Sequence, residues 1–211
     1  MDAPDRDWRA KLREGYVWLR DADHPVALLA RQAVGVLVVV AVVGVVLYSV
    51  TGIWPPMVAV KSGSMAPHLV RGDLVLTMDE QRLAPAATVA DTGVVTHRVG
   101  SRRAYRSFGD YGDVIVFSPR GGDDTPIIHR AHFWVNESEN WYGKADPSHL
   151  PGQSCAAIPN CPAPHSGFIT KGDAVTAYDQ VNGLTGPVRP TWIRGTAEVR
   201  LPLLGHLRLL I

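Results

Sequence analysis

From Gln32 to Val60 no side chain is charged, and between Ala33 and Ile53 the chain is almost unbroken Val, Ala, Leu and Gly. As a helix rising 1.5 Å per residue, that inner stretch is roughly 30 Å long, the hydrocarbon thickness of a bilayer. Val favours strands in water, but a strand of this length lies far outside the usual range. In lipid the backbone must satisfy its own hydrogen bonds, and a helix does so within one segment. A cleaved secretory leader would have a shorter apolar core, a shorter leading flank and a small-x-small site after it, and none follows Tyr48. The sequence therefore predicts an uncleaved transmembrane anchor at 32–53, preceded by a segment at 1–31.

Arg13, Arg20 and Arg31 precede the anchor, whereas only Lys61 and Arg71 follow at comparable distance. This bias predicts a cytoplasmic N-terminus and an extracytoplasmic domain at 54–211 of the 211-residue chain, long enough for its own core. Its location would be the cell membrane, single-pass. With 21 Lys plus Arg against 20 Asp plus Glu, no basic excess exists to neutralise a run of phosphates, so a nucleic-acid partner is not expected. Within the first segment, Trp8, Leu12, Tyr16 and Leu19 recur at helical spacing. Two readings of that pattern stand: an interfacial helix on the inner leaflet, or a solvated helix or tail.

Beyond Pro55 and Pro56, which are expected to end the helix, the pattern becomes extended. Short β-rich segments run at 57–61, 74–77, 93–99, 114–118, 126–135, 167–170 and 192–201, separated by Gly, Pro, Asp and Asn. No long amphipathic pattern competes, so the outer domain is expected to be mainly β. Gly72-Asp73, Gly112-Asp113 and Gly172-Asp173 are ordinary turn chemistry taken singly. Residues 136–166, rich in Pro and Gly, look like a loop insertion. The tail from Leu201 to Ile211 is too short and interrupted to span a bilayer, and would pack on the sheet or dip into the outer leaflet. Cys155 and Cys161 are expected to pair as a small loop disulfide, or to form a structural zinc site with His149 and His165.

Just past the anchor stands Lys61-Ser62-Gly63-Ser64-Met65-Ala66-Pro67. A serine hydroxyl is a weak nucleophile without a base to take its proton, so by chemistry alone this stretch is a turn. Its context gives it more. Ser62-Gly63-Ser64-Met65-x-Pro67 with Gly72-Asp73, directly after an N-terminal transmembrane helix, resembles the type I signal peptidases. Gly112-Asp113-Val114-Ile115-Val116-Phe117 followed by Ile127-Ile128-His129-Arg130 resembles the family's next strand pair. Lys171-Gly172-Asp173 with Asp179 resembles its last block, and Arg200-Leu201-Pro202-Leu203-Leu204-Gly205 its C-terminal end. The three blocks stand in the family's order and cover most of 57–180.

The resemblance implies a signal-peptidase-like antiparallel β-sheet domain and a membrane-bound serine endopeptidase that removes signal peptides by cutting after small residues. Bacterial members use a lysine base, whereas archaeal and endoplasmic-reticulum members carry a histidine at the place of His129. None of Lys11, Lys61, Lys144 and Lys171 falls there. In this reading Ser64 attacks the scissile carbonyl and His129 takes its proton and passes it to the leaving amine. Asp179 orients the imidazole, with Asp173 as second choice. The Ser64 N–H and Ser62 hydroxyl form the oxyanion site. An extended substrate adds beside Met57, Val58, Ala59, Val60 and Lys61, placing alternate side chains in shallow pockets. The partners are preproteins, the lipid bilayer and, as a further candidate, the secretion translocon. No cofactor or metal is required.

His97 also stands in a Thr-His-Arg-Val context that reads as strand, but it precedes the Gly112-Asp113 strand and is rejected as base. His132 is read as structural, Asp73 and Asp113 as turn-fixing, and Arg130 as the partner of a carboxylate. Ala174 and Val175 follow Gly172-Asp173 where the family has asparagines. A different class remains open: an inactive membrane-anchored accessory or binding subunit with the same fold.

Overall fold

The structure, a computed structural model, describes residues 7–21, 25–122 and 125–209, which fall into two units, up to Ser49 and from Val50 onward. The first holds α1 (Asp7–Asp21) and most of α2 (Pro25–Thr51). Trp8, Leu12 and Tyr16 on α1 are exposed, while Leu19 lies outside the side chains described. Along α2 the Val and Leu side chains other than half-buried Leu47 are exposed, and among the described residues this one helix is long and apolar enough to cross a membrane. It begins seven residues before Gln32. It stops at Thr51, ahead of the two prolines, because Gly52 turns left-handed at φ +76°. The last carbonyls are met by the Asp79 N–H on Thr51 and the Arg82 guanidinium on Val50.

The second unit is mainly antiparallel β. Six strands, β1 (Met57–Ala59), β2 (Leu74–Met78), β5 (Val114–Phe117), β6 (Ile127–Val135), β7 (Gly167–Lys171) and β8 (Ile193–Leu201), form one sheet in the order β1-β2-β8-β5-β6-β7. All neighbours are antiparallel. The nine-residue β8 is the seam: it pairs with β2 through Thr196 to Leu201 and with β5 through Ile193 to Thr196. Gly195 allows it to pass closely, since a Cβ there would lie 2.5 Å from the Met78 carbonyl oxygen. Three apolar clusters hold the sheet: one around Val75, Met65 and Val114, one around Ile115, Phe117 and Phe168, and one around Phe133, Trp141 and Tyr178.

Six of the expected extended segments are strands. The seventh, 93–99, is not: α3 (His97–Arg103) begins within it, capped by the Thr96 hydroxyl, which accepts the Val99 N–H, and closed by Ala104 in the left-handed region. Val94, Val95 and Val99 give the stretch its strand-like composition, but Val94 and Val95 are core residues before the cap. The hairpin β3 (Arg106–Ser107) and β4 (Asp110–Tyr111) turns at Phe108 and Gly109, both at positive φ. Residues 136–166 form an irregular excursion between β6 and β7, pinned by buried Trp141, whose indole N–H donates to the Asn160 carbonyl. Cys155 and Cys161 are joined as a disulfide. The zinc alternative therefore loses both sulfurs, and His149 and His165 donate instead to the carbonyls of Thr176 and Ser166. The tail forms α4 (Gly205–Leu209), packed on β1 and β2.

Candidate active site

Three elements converge on Ser64. The turn after β1 carries Ser64, the first part of β6 carries His129, and the segment after β7 carries Asp179. Ser64 Oγ is 3.0 Å from His129 Nε2, and His129 Nδ1 is 2.7 Å from Asp179 Oδ2. His129 is 5% exposed and Asp179 1%, so the pair is shielded from water while the serine faces a cleft. The Ser64 turn is fixed from behind, where its carbonyl accepts the Ala174 N–H at 2.8 Å. Gly172 makes that approach possible: a Cβ there would stand 2.6 Å from the Ser64 carbonyl oxygen and 2.9 Å from His129 Nε2.

Asp173, the second candidate for the acid, does not meet the imidazole. It takes Arg130 in a two-pronged pair, Nε to Oδ1 at 2.9 Å and Nη2 to Oδ2 at 2.7 Å, and His68 Nδ1 at 2.8 Å. Arg130 is 0% exposed, and its Nη1 also donates to the carbonyls of Ser107 at 2.9 Å and Gly112 at 2.8 Å. Burial pushes the Asp173 carboxyl up, but the hydrogen bonds and charge of Arg130, with those of His68, bring it below the ordinary range. The Lys171 ammonium donates to the carbonyls of Gly172 and Val175, which closes the turn; burial lowers its pKa. Asp113 accepts the Val95 N–H and the Tyr105 hydroxyl, both at 2.7 Å, and Asp73 accepts the Val70 N–H beside Arg200. Both hold turns.

The cleft in front of Ser64 has a volume of about 740 Å³ and is mostly apolar, with Val58, Val60, Met65, Val116 and Ile128 among its walls. Val58, Ala59, Val60 and Lys61 border it. β1 is an edge strand. Val60 and Pro56 bond to β2, through Val60 N–H to Asp73, Gly72 N–H to Val60 and Thr77 N–H to Pro56, so Met57, Ala59 and Lys61 turn their backbone groups outward. The Met57 carbonyl is already taken by Arg208 Nη1 of α4 at 2.7 Å. Ser62 Oγ lies 3.1 Å from Ser64 Oγ, and the Ser64 N–H donates to no other described residue.

His97 and His132 lie apart from this triad and stack on each other, ring centres 5.1 Å apart, with Tyr178 edge-on to His132 and Tyr111 edge-on to His97. His132 is the extra residue of a bulge in β6, between Ala131 and Phe133. Burial, followed by the charge of His97, pushes His132 well below the ordinary histidine value of 6.5; burial lowers His97 too, against the pull of Asp110. The folded state thus keeps a neutral imidazole that the unfolded chain would protonate. Its contribution is present above that value and lost as pH falls below it. The unfolding temperature of the detergent-solubilised protein is expected to drop between pH 7.5 and 5.5, and His132→Phe to flatten that slope. A slope identical in both proteins would exclude this origin.

No family model matches the chain, and no curated protein matches it in sequence.

Proposed function

We propose that this protein is a membrane-anchored serine endopeptidase that removes signal peptides from exported preproteins, cutting after small residues. The observation that carries the reading is the continuous contact from Ser64 Oγ through His129 to Asp179, opening on a cleft beside an edge strand. In such an arrangement the buried carboxylate accepts a hydrogen bond from Nδ1–H, which keeps that proton on Nδ1 and leaves Nε2 bare to take the serine proton. Attack on the scissile carbonyl then forms an acyl-enzyme and releases the amine, which collects the proton from His129. Water, activated by the same base, frees the acid. In this reading the Ser64 N–H and the Ser62 hydroxyl, 3.1 Å from Ser64 Oγ, donate to the negative oxygen of each tetrahedral intermediate. An extended substrate pairs with the outward groups of Ala59 and Lys61, and the apolar walls admit its small side chains.

The charge bias across α2 supports a cytoplasmic N-terminus, which puts the peptidase unit on the side where exported chains emerge. The test is cleavage of a preprotein with an Ala-x-Ala site by the purified full chain in detergent, with and without a chelator. Cleavage at that site, unchanged by chelator and abolished when the alanine before the cut becomes Phe, is expected. It should decline on acidification, because the base must be neutral to accept a proton. Absence of cleavage by folded protein would favour the accessory-subunit reading.

A further inference from the structure

Behind Asp179 the hydrogen bonds continue, and their directions are fixed. Thr170 Oγ1 is 2.7 Å from Asp179 Oδ2, the oxygen that His129 Nδ1 also approaches, while Asp179 Oδ1 is buried without a partner among the described residues. Gln180 Nε2 lies 3.2 Å from Thr170 Oγ1 and 3.1 Å from the Gly186 carbonyl. Gln180 Oε1 accepts the Thr170 backbone N–H at 2.9 Å. All three side chains are buried, Thr170 and Gln180 completely.

Two backbone groups decide the proton positions. The Thr170 N–H can only donate, so it faces the amide oxygen of Gln180. The Gly186 carbonyl can only accept, so it faces the amide nitrogen. That nitrogen then donates to the Thr170 hydroxyl as well, and the hydroxyl's own proton is left to point at Asp179. The carboxylate oxygen held by Thr170 is the one presented to His129, which must carry its proton on Nδ1.

We propose that Thr170 is a positioning residue for the peptidase reaction, its hydroxyl locking Asp179 Oδ2 toward His129, with its direction set by the buried amide of Gln180. The proposal rests on the serine peptidase reading of the site. It extends the Ser64, His129, Asp179 contact by two uncharged groups that never touch substrate. Its physical content is twofold. The hydroxyl restrains rotation of a carboxylate whose other oxygen, Oδ1, has no donor among the described residues. It also spreads the negative charge of Asp179, which moderates the pull on a protonated imidazole.

The test uses the full chain in detergent, with Thr170→Val, Thr170→Ser, Gln180→Met and the double Thr170→Val/Gln180→Met. Thr170→Val keeps the shape and removes the donor. It is expected to lower kcat about tenfold with KM unchanged, and to move the acid limb of kcat/KM up by about half a pH unit. Thr170→Ser should return both to wild type. Gln180→Met should lower kcat by about threefold alone and add nothing in the Thr170→Val background, since both act through one bond. Proton NMR of the Ser64→Ala protein supplies a reading that needs no turnover: the low-field His129 Nδ1 proton should shift when Thr170→Val is added. Gln180→Met carries the same measurements should Thr170→Val fail to fold.

A reduced kcat with an unmoved acid limb and an unmoved proton would overturn the proposal, because a merely structural defect gives that result. So would wild-type kinetics for Thr170→Val. If the wild type cleaves nothing while the proton still shifts, the peptidase reading falls and the hydrogen-bond chain stands. If the wild type cleaves and the proton is unmoved, the proposal falls alone.

Discussion

Under the proposed mechanism Ser64→Ala and His129→Ala are each expected to lower kcat by about 10⁴-fold or more, because nucleophile and base would act as one unit. For the same reason the double variant should be no slower than either single one. Asp179→Asn should cost about 10³- to 10⁴-fold, since an amide facing His129 Nδ1 can donate and would invert the tautomer that leaves Nε2 bare. His97→Ala should leave the rate within about twofold, as its ring stacks on His132 and its charge partner is Asp110 at 3.6 Å. Turnover of one defined preprotein, measured for the wild type and all five variants at one pH, checks the set. Activity in Ser64→Ala equal to wild type would remove the nucleophile and with it the proposed mechanism.

The largest effect on stability is expected at Arg130. Arg130→Met leaves the Asp173 carboxylate buried without its main counter-charge and strips the Ser107 and Gly112 carbonyls of their donor. Removing one partner of a buried ion pair destabilises by about 3–5 kcal/mol, which is a large share of the stability of a single domain. Urea unfolding of the solubilised chain, followed by Trp fluorescence, should show the midpoint falling with little change in slope. The double variant Arg130→Met/Asp173→Leu should recover part of the loss, because the stranded charge is then gone. A double variant as unstable as Arg130→Met would mean that the carbonyl contacts, not the ion pair, carry the cost.

The strands were legible because their apolar runs are short and bounded by Gly, Pro and Asp, which break any competing helical period. β6 and β8 are nine residues each and began within one residue of where the pattern places them. α3 was hidden because its cap, Thr96 with Val99, lies inside a Val-rich stretch. Two-residue strands such as β3 and β4 leave no periodicity to read. At the site, Ser64 and His129 stood out by motif, but the choice between Asp173 and Asp179 did not. Arg130 held the missing clue: beside His129 on one strand, it needed a carboxylate of its own, and Asp173 serves it. Thr170 and Gln180 had no signal at all, since their meeting depends on the fold of the segment after β7.

β1 presents little free edge. Between the Met57 carbonyl, engaged by Arg208, and the Ser64 turn, only the outward groups of Ala59 and Lys61 remain to meet an incoming chain. A ladder so short gathers little sequence information: it can tell a small side chain from a large one at two places and almost nothing beyond. Under the proposed function, one such protein would therefore serve many unrelated polypeptides. The burden of choosing among them would fall on whatever brings a cleavable segment to the cleft.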